Sequence, residues 1–303
     1  MNDAPFLITG AAGGIQGSTG LRVARKLLDD GHPVRALVHR LDERSVRLEE
    51  LGADVVQADY HDHKSLVAAL AGVRRAYFTY PVQEGLLEAT TRFAAVAREA
   101  GVERVVNMSQ WLRPGGVQPS PHQARHWLAE QALNWADLGV VHIGATVFYE
   151  NVMAFAQLGL SRDGSFTLPW GPPETALPFV AAEDVAHVAA AVLTGPAMPN
   201  GTVVQLSAGG RTCAEISDLL GDVVGLPVPY RECTDEEWAQ VASEVGINAA
   251  AVEHLGHMWQ FLRTRPSGYE ALRPTTEVFE RFLGRRPQSL EHFLQNQAGS
   301  FQR

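Results

Sequence analysis

The glycine-rich stretch TGAAGGIQGSTG occupies residues 9–20 of this 303-residue chain. It follows a short apolar run, PFLIT at 5–9, and precedes LRVARKLLDD at 21–30, whose leucines and alanines recur at helical spacing. A glycine-rich turn between a buried strand and a helix lets a pyrophosphate approach the backbone, where the free N–H groups of the helix start can bind it. The stretch therefore predicts a dinucleotide-binding turn. A P-loop is excluded, because no Gly-Lys-Ser/Thr follows.

Short strand-like runs alternate with amphipathic segments of helix length as far as residue 144. Further strands are predicted at 34–39, 54–58, 75–80, 104–109 and 140–144, and helices at 44–51, 64–71, 84–100 and 123–138. Runs that are apolar along nearly their whole length are typical of strands buried on both faces of a parallel sheet. The pattern predicts a doubly wound α/β fold of the Rossmann type, with its ligand crevice at the carboxyl ends of the strands.

The alternation breaks after residue 144. Residues 146–178 are rich in aromatic residues, glycine and proline. A helix is predicted at 182–193, a returning strand at 203–207, and mainly helical segments after residue 212. We expect a dinucleotide-binding domain at 1–145, with 176–210 returning to it. A smaller, mostly helical substrate-binding subdomain would comprise 146–175 and 211–303.

Charge and cysteine content narrow the class of protein. The chain carries 25 basic and 34 acidic residues, a formal net charge of −9, unlike the basic face of a general nucleic-acid binder. Its two cysteines have no metal-ligand spacing, which favours a reducing, cytoplasmic setting. No signal peptide is evident, and the longest uncharged stretch, 185–210, is broken by glycine and proline. We expect a small-molecule substrate and no direct nucleic-acid or membrane contact, and the sequence leaves a homodimer open.

The end of the second predicted strand bears on the choice of cofactor. Arg40 stands where NAD-binding proteins carry an acidic residue for the ribose 2′-hydroxyl, and arginine suits the 2′-phosphate of NADP. Asp42 and Glu43 follow closely and keep NAD open. The alternative is that Arg40 is a solvated loop charge. NADP(H) is the preferred expectation, with NAD(H) second.

Several segments together resemble the NmrA-like branch of the atypical short-chain dehydrogenases/reductases. They cover nearly the whole chain: ITGAAGGIQG, GHPVRALVHR, GADVVQADYHD, AGVERVVNMSQW, HWLAEQALNWADLGVVHIGATVFYEN and LPFVAAEDVAHVAAAVL. The resemblance implies a reductase of quinones or double bonds, or a sensor that binds NAD(P) without chemistry. It also implies the cofactor contacts. The pyrophosphate would meet Thr9, Gly10, Ala12, Gly13, Gly14, Ile15, Gln16 and Gly17; the adenosine would meet Arg40, Asp59 and Tyr60; the nicotinamide ribose would meet Thr79, Tyr80, Pro81, Ser109 and Gln110.

The sequence departs from the pattern of this family at three places. The glycine loop is longer than the usual TGATGxxG form, and Gly144-Ala145 replaces the usual Arg-Pro after the sixth strand. The Tyr-x-x-x-Lys pair of typical short-chain dehydrogenases is absent, and His122 and His126 stand at its positions. The usual proton donor therefore does not carry over to this chain.

Two histidines are the first candidates for moving a proton. His122 and His126 lie four residues apart, so on a helix they share one face, and an ordinary imidazole titrates near pH 7. We rank His126 first, followed by His122, Tyr80 and Tyr149, with Ser109 as a hydroxyl able to hold a substrate carbonyl. The alternative is that both histidines are structural. No metal site is expected, because neither HExxH nor a third ligand accompanies the pair.

Bulky residues after the fifth and sixth strands are candidates for the substrate pocket. We expect Trp111, Phe148, Asn151 and Trp259 to contact the substrate, although aromatic side chains more often form a core. If they line the crevice, the substrate is flat and apolar, such as a quinone or an aromatic ketone. The leading hypothesis is an NADPH-dependent reductase, and the alternative is an NAD(P)-binding redox sensor or transcriptional co-regulator. An epimerase or dehydratase is a weaker hypothesis, because those chemistries depend on the missing Tyr/Lys pair.

Overall fold

The side chains of the first strand are buried on both faces of the sheet. In this computed structural model, which describes residues 4–13, 17–112, 117–265 and 268–301, Phe6 and Ile8 pack into one core while Leu7 packs into another. Successive side chains of a strand point to opposite faces, so an unbroken apolar run must be covered twice.

Twelve strands and twelve α-helices follow in chain order. The strands are β1 (Phe6–Thr9), β2 (Val34–Val38), β3 (Asp54–Gln57), β4 (Arg75–Phe78), β5 (Arg104–Gln110), β6 (Val141–Ala145), β7 (Val147–Phe148), β8 (Phe166–Leu168), β9 (Ala176–Val180), β10 (Thr202–Leu206), β11 (Gly209–Thr212) and β12 (Tyr230–Glu232). The helices are α1 (Thr19–Asp29), α2 (Glu43–Glu50), α3 (His63–Leu70), α4 (Leu86–Glu99), α5 (Pro121–Ala136), α6 (Tyr149–Arg162), α7 (Ala182–Thr194), α8 (Cys213–Val224), α9 (Asp235–Glu244), α10 (Ala249–Thr264), α11 (Thr276–Leu283) and α12 (Leu290–Asn296). Both counts refer to the described residues.

Seven strands form the main sheet in the order β10-β6-β5-β4-β1-β2-β3. Every neighbouring pair is parallel; Ile8, for example, pairs with Ala36 on one side and Tyr77 on the other. Helices α1, α7 and α11 contribute to the core on one face, and α3, α4 and α5 to that on the other. The predicted doubly wound fold is confirmed. The chain changes direction across the sheet between β1 and β4, and ligands of such sheets bind outside the carboxyl ends of the strands at that point.

A second, smaller region covers the carboxyl end of the sheet. It contains the three-stranded sheet β11-β9-β7 and the pair β12-β8. Its core is rich in buried aromatic side chains, contributed by α6 and α10 among other segments: Tyr149, Phe166, Trp170, Phe179, Trp238, Trp259 and Phe293.

Three features differ from the expectations. Residues 149–162, for which no helix was predicted, form helix α6, whose buried face is Tyr149, Val152 and Ala156. Helix α11 belongs to 211–303, which was expected to form the smaller subdomain, yet it packs against α7 at the main sheet. Within 176–210, β10 joins the main sheet, whereas β9 pairs with β7 and β11 in the small one. Aromatic and β-branched residues lower helix propensity, so the tertiary packing of α6 overrides its local preference.

Candidate cofactor and substrate site

One cavity of about 860 Å³ runs along the carboxyl ends of the strands. At one end it is lined by the glycine-rich turn and the residues that follow β2 and β3. At the other end it is lined by the residues that follow β5 and β6 and by helix α10 of the smaller region. The groove beside the glycine-rich turn and a second compartment below α10 therefore form one continuous cavity.

The glycine-rich turn packs against the sheet so tightly that side chains are excluded at two positions. A Cβ on Gly20 would lie 2.4 Å from the carbonyl oxygen of Thr9, and a Cβ on Gly10 would lie 2.5 Å from Cγ2 of Thr79. Gly10 also has a φ of +65°, which favours glycine. Helix α1 starts at Thr19 beside the cavity, so its first N–H groups lie where an anion would bind.

The predicted pyrophosphate residues divide into those at the cavity and those behind it. Gly10, Ala12 and Gly13 line the cavity. Thr9 is fully buried, and its hydroxyl accepts from Thr79 N–H at 2.8 Å, which ties β1 to β4. Gly17 lies under Phe148, whose Cδ2 would be 2.8 Å from a Cβ at that position. The predicted contacts at Gly14, Ile15 and Gln16 lie outside the described residues.

The adenosine end carries the arginine that the sequence singled out. Arg40 is exposed and lines the cavity. The partly buried Asp59 and Tyr60 line it as well. Asp42 accepts the backbone N–H of Arg44 at 2.9 Å and pairs with its guanidinium, so this carboxylate is already engaged at the start of α2. Among the charged residues that line the cavity at this end, Arg40 is the one that follows β2 most closely in the sequence.

The residues after β4 and β5 line the middle of the cavity. They are Thr79, Tyr80, Pro81, Ser109 and Gln110. The Tyr80 hydroxyl donates to the carbonyl oxygen of Glu84 at 3.0 Å, so the proton of this candidate donor is already engaged. Oγ of Ser109 is buried and completes no hydrogen bond with any described residue.

A carboxyl that the sequence analysis missed lies behind Ser109. Glu130 is buried on α5, and burial raises the pKa of its carboxyl to about 7, while the nearby Ser109 hydroxyl acts in the opposite direction. Among the described residues, no cation pairs with Glu130. The raised pKa of Glu130 depends on its burial, and the burial of one residue cannot be predicted from the sequence at that position alone.

Three histidines lie together where α5 meets α10. The rings of His122 and His126 are 5.0 Å apart between centroids, and those of His122 and His254 are 5.1 Å apart. His126 and His254 line the cavity, whereas both ring nitrogens of His122 are buried without a partner among the described residues. No local pattern singles out His254 in the sequence.

Burial keeps these imidazoles uncharged. It lowers the pKa of His122 to about 4 and that of His254 to about 3. Burial, and then the neighbouring His122 and His254, hold the pKa of His126 well below its ordinary value. His126 therefore does not titrate near pH 7, which was the reason for ranking it first as proton donor. In the structure it is a neutral hydrogen-bonding group.

Of the remaining candidates, one lies elsewhere. Trp111, Phe148 and Asn151 line the cavity, and so does Trp259, although it is also fully buried against Trp170. Tyr149 was expected as a candidate proton donor, but it does not line the cavity. It is buried, and its hydroxyl donates to the carbonyl oxygen of Gln288 at 3.2 Å. The first turn of α6 directs Tyr149 into the core of the smaller region.

Residues 4–294 match the model of the NmrA-like family. The chain belongs to this family. It is 25% identical over 287 residues to an NAD(P)H azoreductase of Xenophilus azovorans, covering 94% of this chain and 96% of that protein.

Solved structures share the fold of this NmrA-like chain. The NADPH complex of the Escherichia coli quinone oxidoreductase QOR2 superimposes with a TM-score of 0.79 at 22% identity, covering 96% of this chain and 99% of that one. The negative transcriptional regulator NmrA in complex with NAD gives 0.77 at 18% identity, covering 97% and 95%. The fold is thus common to reductases and to a regulator.

Two further properties of this NmrA-like chain bear on its chemistry. Within residues 4–13, 17–112, 117–265 and 268–301, no group of three His, Cys, Asp or Glu side chains is arranged to hold a metal ion. No described helix is both long and apolar enough to span a bilayer.

Proposed function

We propose that this protein is an NADPH-dependent reductase that transfers a hydride to a flat, uncharged acceptor of the carbonyl or quinone type. The observation that carries the proposal is the single cavity, which connects the glycine-rich turn to a compartment lined by apolar and neutral polar side chains. No Asp, Glu, Lys or Arg side chain is among the residues that line this second compartment, as far as the chain is described. A charged substrate would lose its hydration there without gaining a partner.

The residues at the first compartment fit a dinucleotide. Gly10 and Gly20 let the turn pack closely on the sheet, so that the start of α1 faces the cavity where a pyrophosphate would bind. Arg40 lines the adenosine end, where it can meet a 2′-phosphate. The NADPH of QOR2 and the NAD(P)H of the azoreductase named above agree with this assignment. Bound NADPH would supply the hydride, and this chain would supply position, hydrogen bonds and shelter from water.

Residues of α5 and β5 can supply the proton. When an acceptor oxygen gains negative charge, the Ser109 hydroxyl at the cavity wall, which holds no other hydrogen bond among the described residues, can donate to it. The nearby Glu130 carboxyl can replace that proton once the Ser109 oxygen comes within hydrogen-bond distance of it. His126 contributes a neutral N–H or a lone pair at the same wall, according to its tautomer. In this mechanism Glu130 takes the role of acid that the sequence analysis assigned to His126.

A redox sensor is the second candidate, favoured by one observation. The Tyr/Lys pair of typical short-chain dehydrogenases is replaced by His122 and His126, which burial keeps uncharged. A protein that binds NAD(P) and signals to a partner needs no proton donor, and the regulator NmrA has the same fold.

Turnover distinguishes the two candidates. We expect the purified protein to oxidise NADPH, followed by its absorbance, when 1,4-naphthoquinone or an aromatic ketone is added, and to oxidise NADH more slowly. Tight NADPH binding without oxidation by any member of an acceptor panel would support the sensor and contradict the reductase.

A further inference from the structure

His254 is joined to the start of α5 by one buried hydrogen bond. Its Nδ1 lies 2.8 Å from Oγ of Ser120, although the two residues are 134 positions apart. Both side chains are buried, and His254 lines the cavity beside His126. The bond therefore connects helix α10 of the smaller region to helix α5 of the main sheet at the wall of the second compartment.

The other hydrogen bonds of Ser120 determine which of the two residues donates in this bond. Oγ of Ser120 is the N-cap of α5 and accepts the backbone N–H of Gln123 at 3.0 Å. The hydroxyl proton of Ser120 has no acceptor other than His254 Nδ1 among the described residues. Leaving the proton of this buried hydroxyl unpaired would be unfavourable, so Ser120 donates and Nδ1 accepts.

The tautomer of His254 then follows. A neutral imidazole carries one proton, and since Nδ1 accepts, that proton is on Nε2. The low pKa of His254, about 3 because of burial, keeps the ring neutral at physiological pH. Ser120 bonds only to Nδ1, so Nε2 takes no part in that bond. The His254 side chain that carries Nε2 lines the cavity.

We propose that His254 donates its Nε2–H to the uncharged oxygen or nitrogen of the acceptor that gains electrons, and that Ser120 is the positioning residue that sets this tautomer. The inference rests on the proposed reductase function and extends it to a residue of α10. A fixed neutral donor suits this compartment, because its bond to the acceptor atom strengthens as negative charge develops there. His254 thereby favours neutral acceptors with one exposed carbonyl or azo group.

The tautomer can be measured without any turnover. In the protein labelled with ¹⁵N at histidine, we expect the His254 ring to show a proton on Nε2 and a bare Nδ1. Ser120→Ala removes the donor to Nδ1 and should shift the ring toward the other tautomer, whereas Ser120→Thr keeps the hydroxyl and should preserve the wild-type spectrum. A proton on Nδ1 in the wild-type protein would overturn the proposal.

Binding and kinetics test the contact itself. With 1,4-naphthoquinone and protein loaded with NADP⁺, calorimetry should show binding about 3–10-fold weaker for His254→Phe, the amount expected for one lost hydrogen bond. In turnover, kcat/KM should fall about 10–100-fold while the Kd of NADPH stays unchanged. His257→Phe is the matched control on the same helix, since His257 lies outside the cavity lining and contacts the Glu253 carbonyl.

The outcomes separate this inference from the proposed function. If the wild-type protein binds the quinone but never oxidises NADPH, the reductase assignment fails, while weaker binding by His254→Phe still supports His254 as the ligand contact. If His254→Phe binds and reduces the quinone as well as the His257→Phe control does, the role of His254 is excluded. His254→Gln, which keeps an N–H donor, should recover part of the lost affinity.

Discussion

Gly20 shows how one residue holds the cofactor turn against the sheet. A methyl group there would lie 2.4 Å from the Thr9 carbonyl oxygen and 2.6 Å from the carbonyl carbon of Gly10, and backbone atoms cannot move aside cheaply. We expect Gly20→Ala to lower the free energy of unfolding by about 1–3 kcal/mol, as overpacked sites do, and to weaken NADPH binding. Urea unfolding and a cofactor titration measure the two effects.

Gly256 provides the matched control for that substitution. It lies inside helix α10, and a Cβ there would meet no atom within 4 Å. Gly256→Ala should leave cofactor affinity unchanged and raise stability by about 0.5–1 kcal/mol, because alanine favours the helix. Equal effects of the two substitutions would mean that the turn tolerates a side chain.

Arg40 is the residue on which the choice between NADP and NAD depends. Arg40→Ala should weaken NADPH binding by about 10-fold or more and change NADH binding little, because only NADPH carries the 2′-phosphate. Arg47→Ala on α2 is the control, since Arg47 is also exposed but does not line the cavity. Losses of the same size for both cofactors would contradict the preference for NADP(H).

Glu130 should be visible in the pH dependence of turnover. A general acid must be protonated, so kcat should fall as the pH rises through about 7, the pKa to which burial raises this carboxyl. Glu130→Gln should lower kcat by about 10²-fold and remove that alkaline fall, with NADPH affinity intact. Glu88→Gln, an exposed site on α4, controls for the lost charge. An unchanged pH profile in Glu130→Gln would leave solvent as the proton source.

At the scale of the elements, the junction of α5 with α10 should make the protein sensitive to acid. The folded pKa values of His122 and His254, about 4 and 3, lie below the ordinary 6.5. Between pH 6.5 and about 4 the unfolded chain therefore binds protons that the folded chain does not. Stability should be full above pH 6.5 and fall on acidification, by about 1.4 kcal/mol per histidine and pH unit. Glu130 offsets part of this loss, because its folded pKa is raised and its contribution changes in the opposite sense between about pH 4.5 and 7.

His122→Leu isolates the contribution of one imidazole to this junction. Both ring nitrogens of His122 are buried without partners among the described residues, so an apolar side chain of similar size should maintain or raise stability at pH 7.5 and flatten the acid loss. His292→Leu, at an exposed site, should leave the slope as it is. Urea unfolding from pH 7.5 to 5 measures both slopes, and a wild-type slope of zero would contradict the uncharged state of the cluster.

Local sequence patterns account for the main sheet but not for the smaller region. Strands β1, β2 and β4 were predictable because apolar runs such as Phe6–Thr9 are short, continuous and bounded by glycine or charge. Helix α6 was not, since YENVMAFAQLGLSR mixes helix-poor aromatics with a glycine and becomes helical by packing on the aromatic core. The pairing of β9 with β7 and β11 links distant segments, which no local pattern reports.

The same distinction applies to the site. The glycine turn and Arg40 are local signals and could be found, whereas the contact of His254 with Ser120 arises only when α10 folds over α5. Burial then reverses the chemistry expected from sequence alone: His126 loses its titration near pH 7, and Glu130 gains one. Residue type gives an ordinary pKa, and the tertiary environment decides the pKa in the folded protein.

At the scale of the whole molecule, the cofactor turn and the smaller region are held together by charge. Arg22 on α1 donates Nε–H to the Gly17 carbonyl at 3.0 Å, and its guanidinium pairs with Glu150 on α6 at 3.2 Å and with Glu183 on α7. The two compartments of the cavity are thus built on connected elements, so that a nicotinamide ring and an acceptor can share one site.

NADPH that carries deuterium at one or the other C4 position tests hydride transfer within that cavity. With 1,4-naphthoquinone present, we expect the label to leave from only one of the two positions, because a fixed nicotinamide presents one face to the acceptor. NADPH labelled at that position should be oxidised more slowly. NADPH that binds tightly but retains both labels in the presence of every acceptor tried would exclude the reductase function.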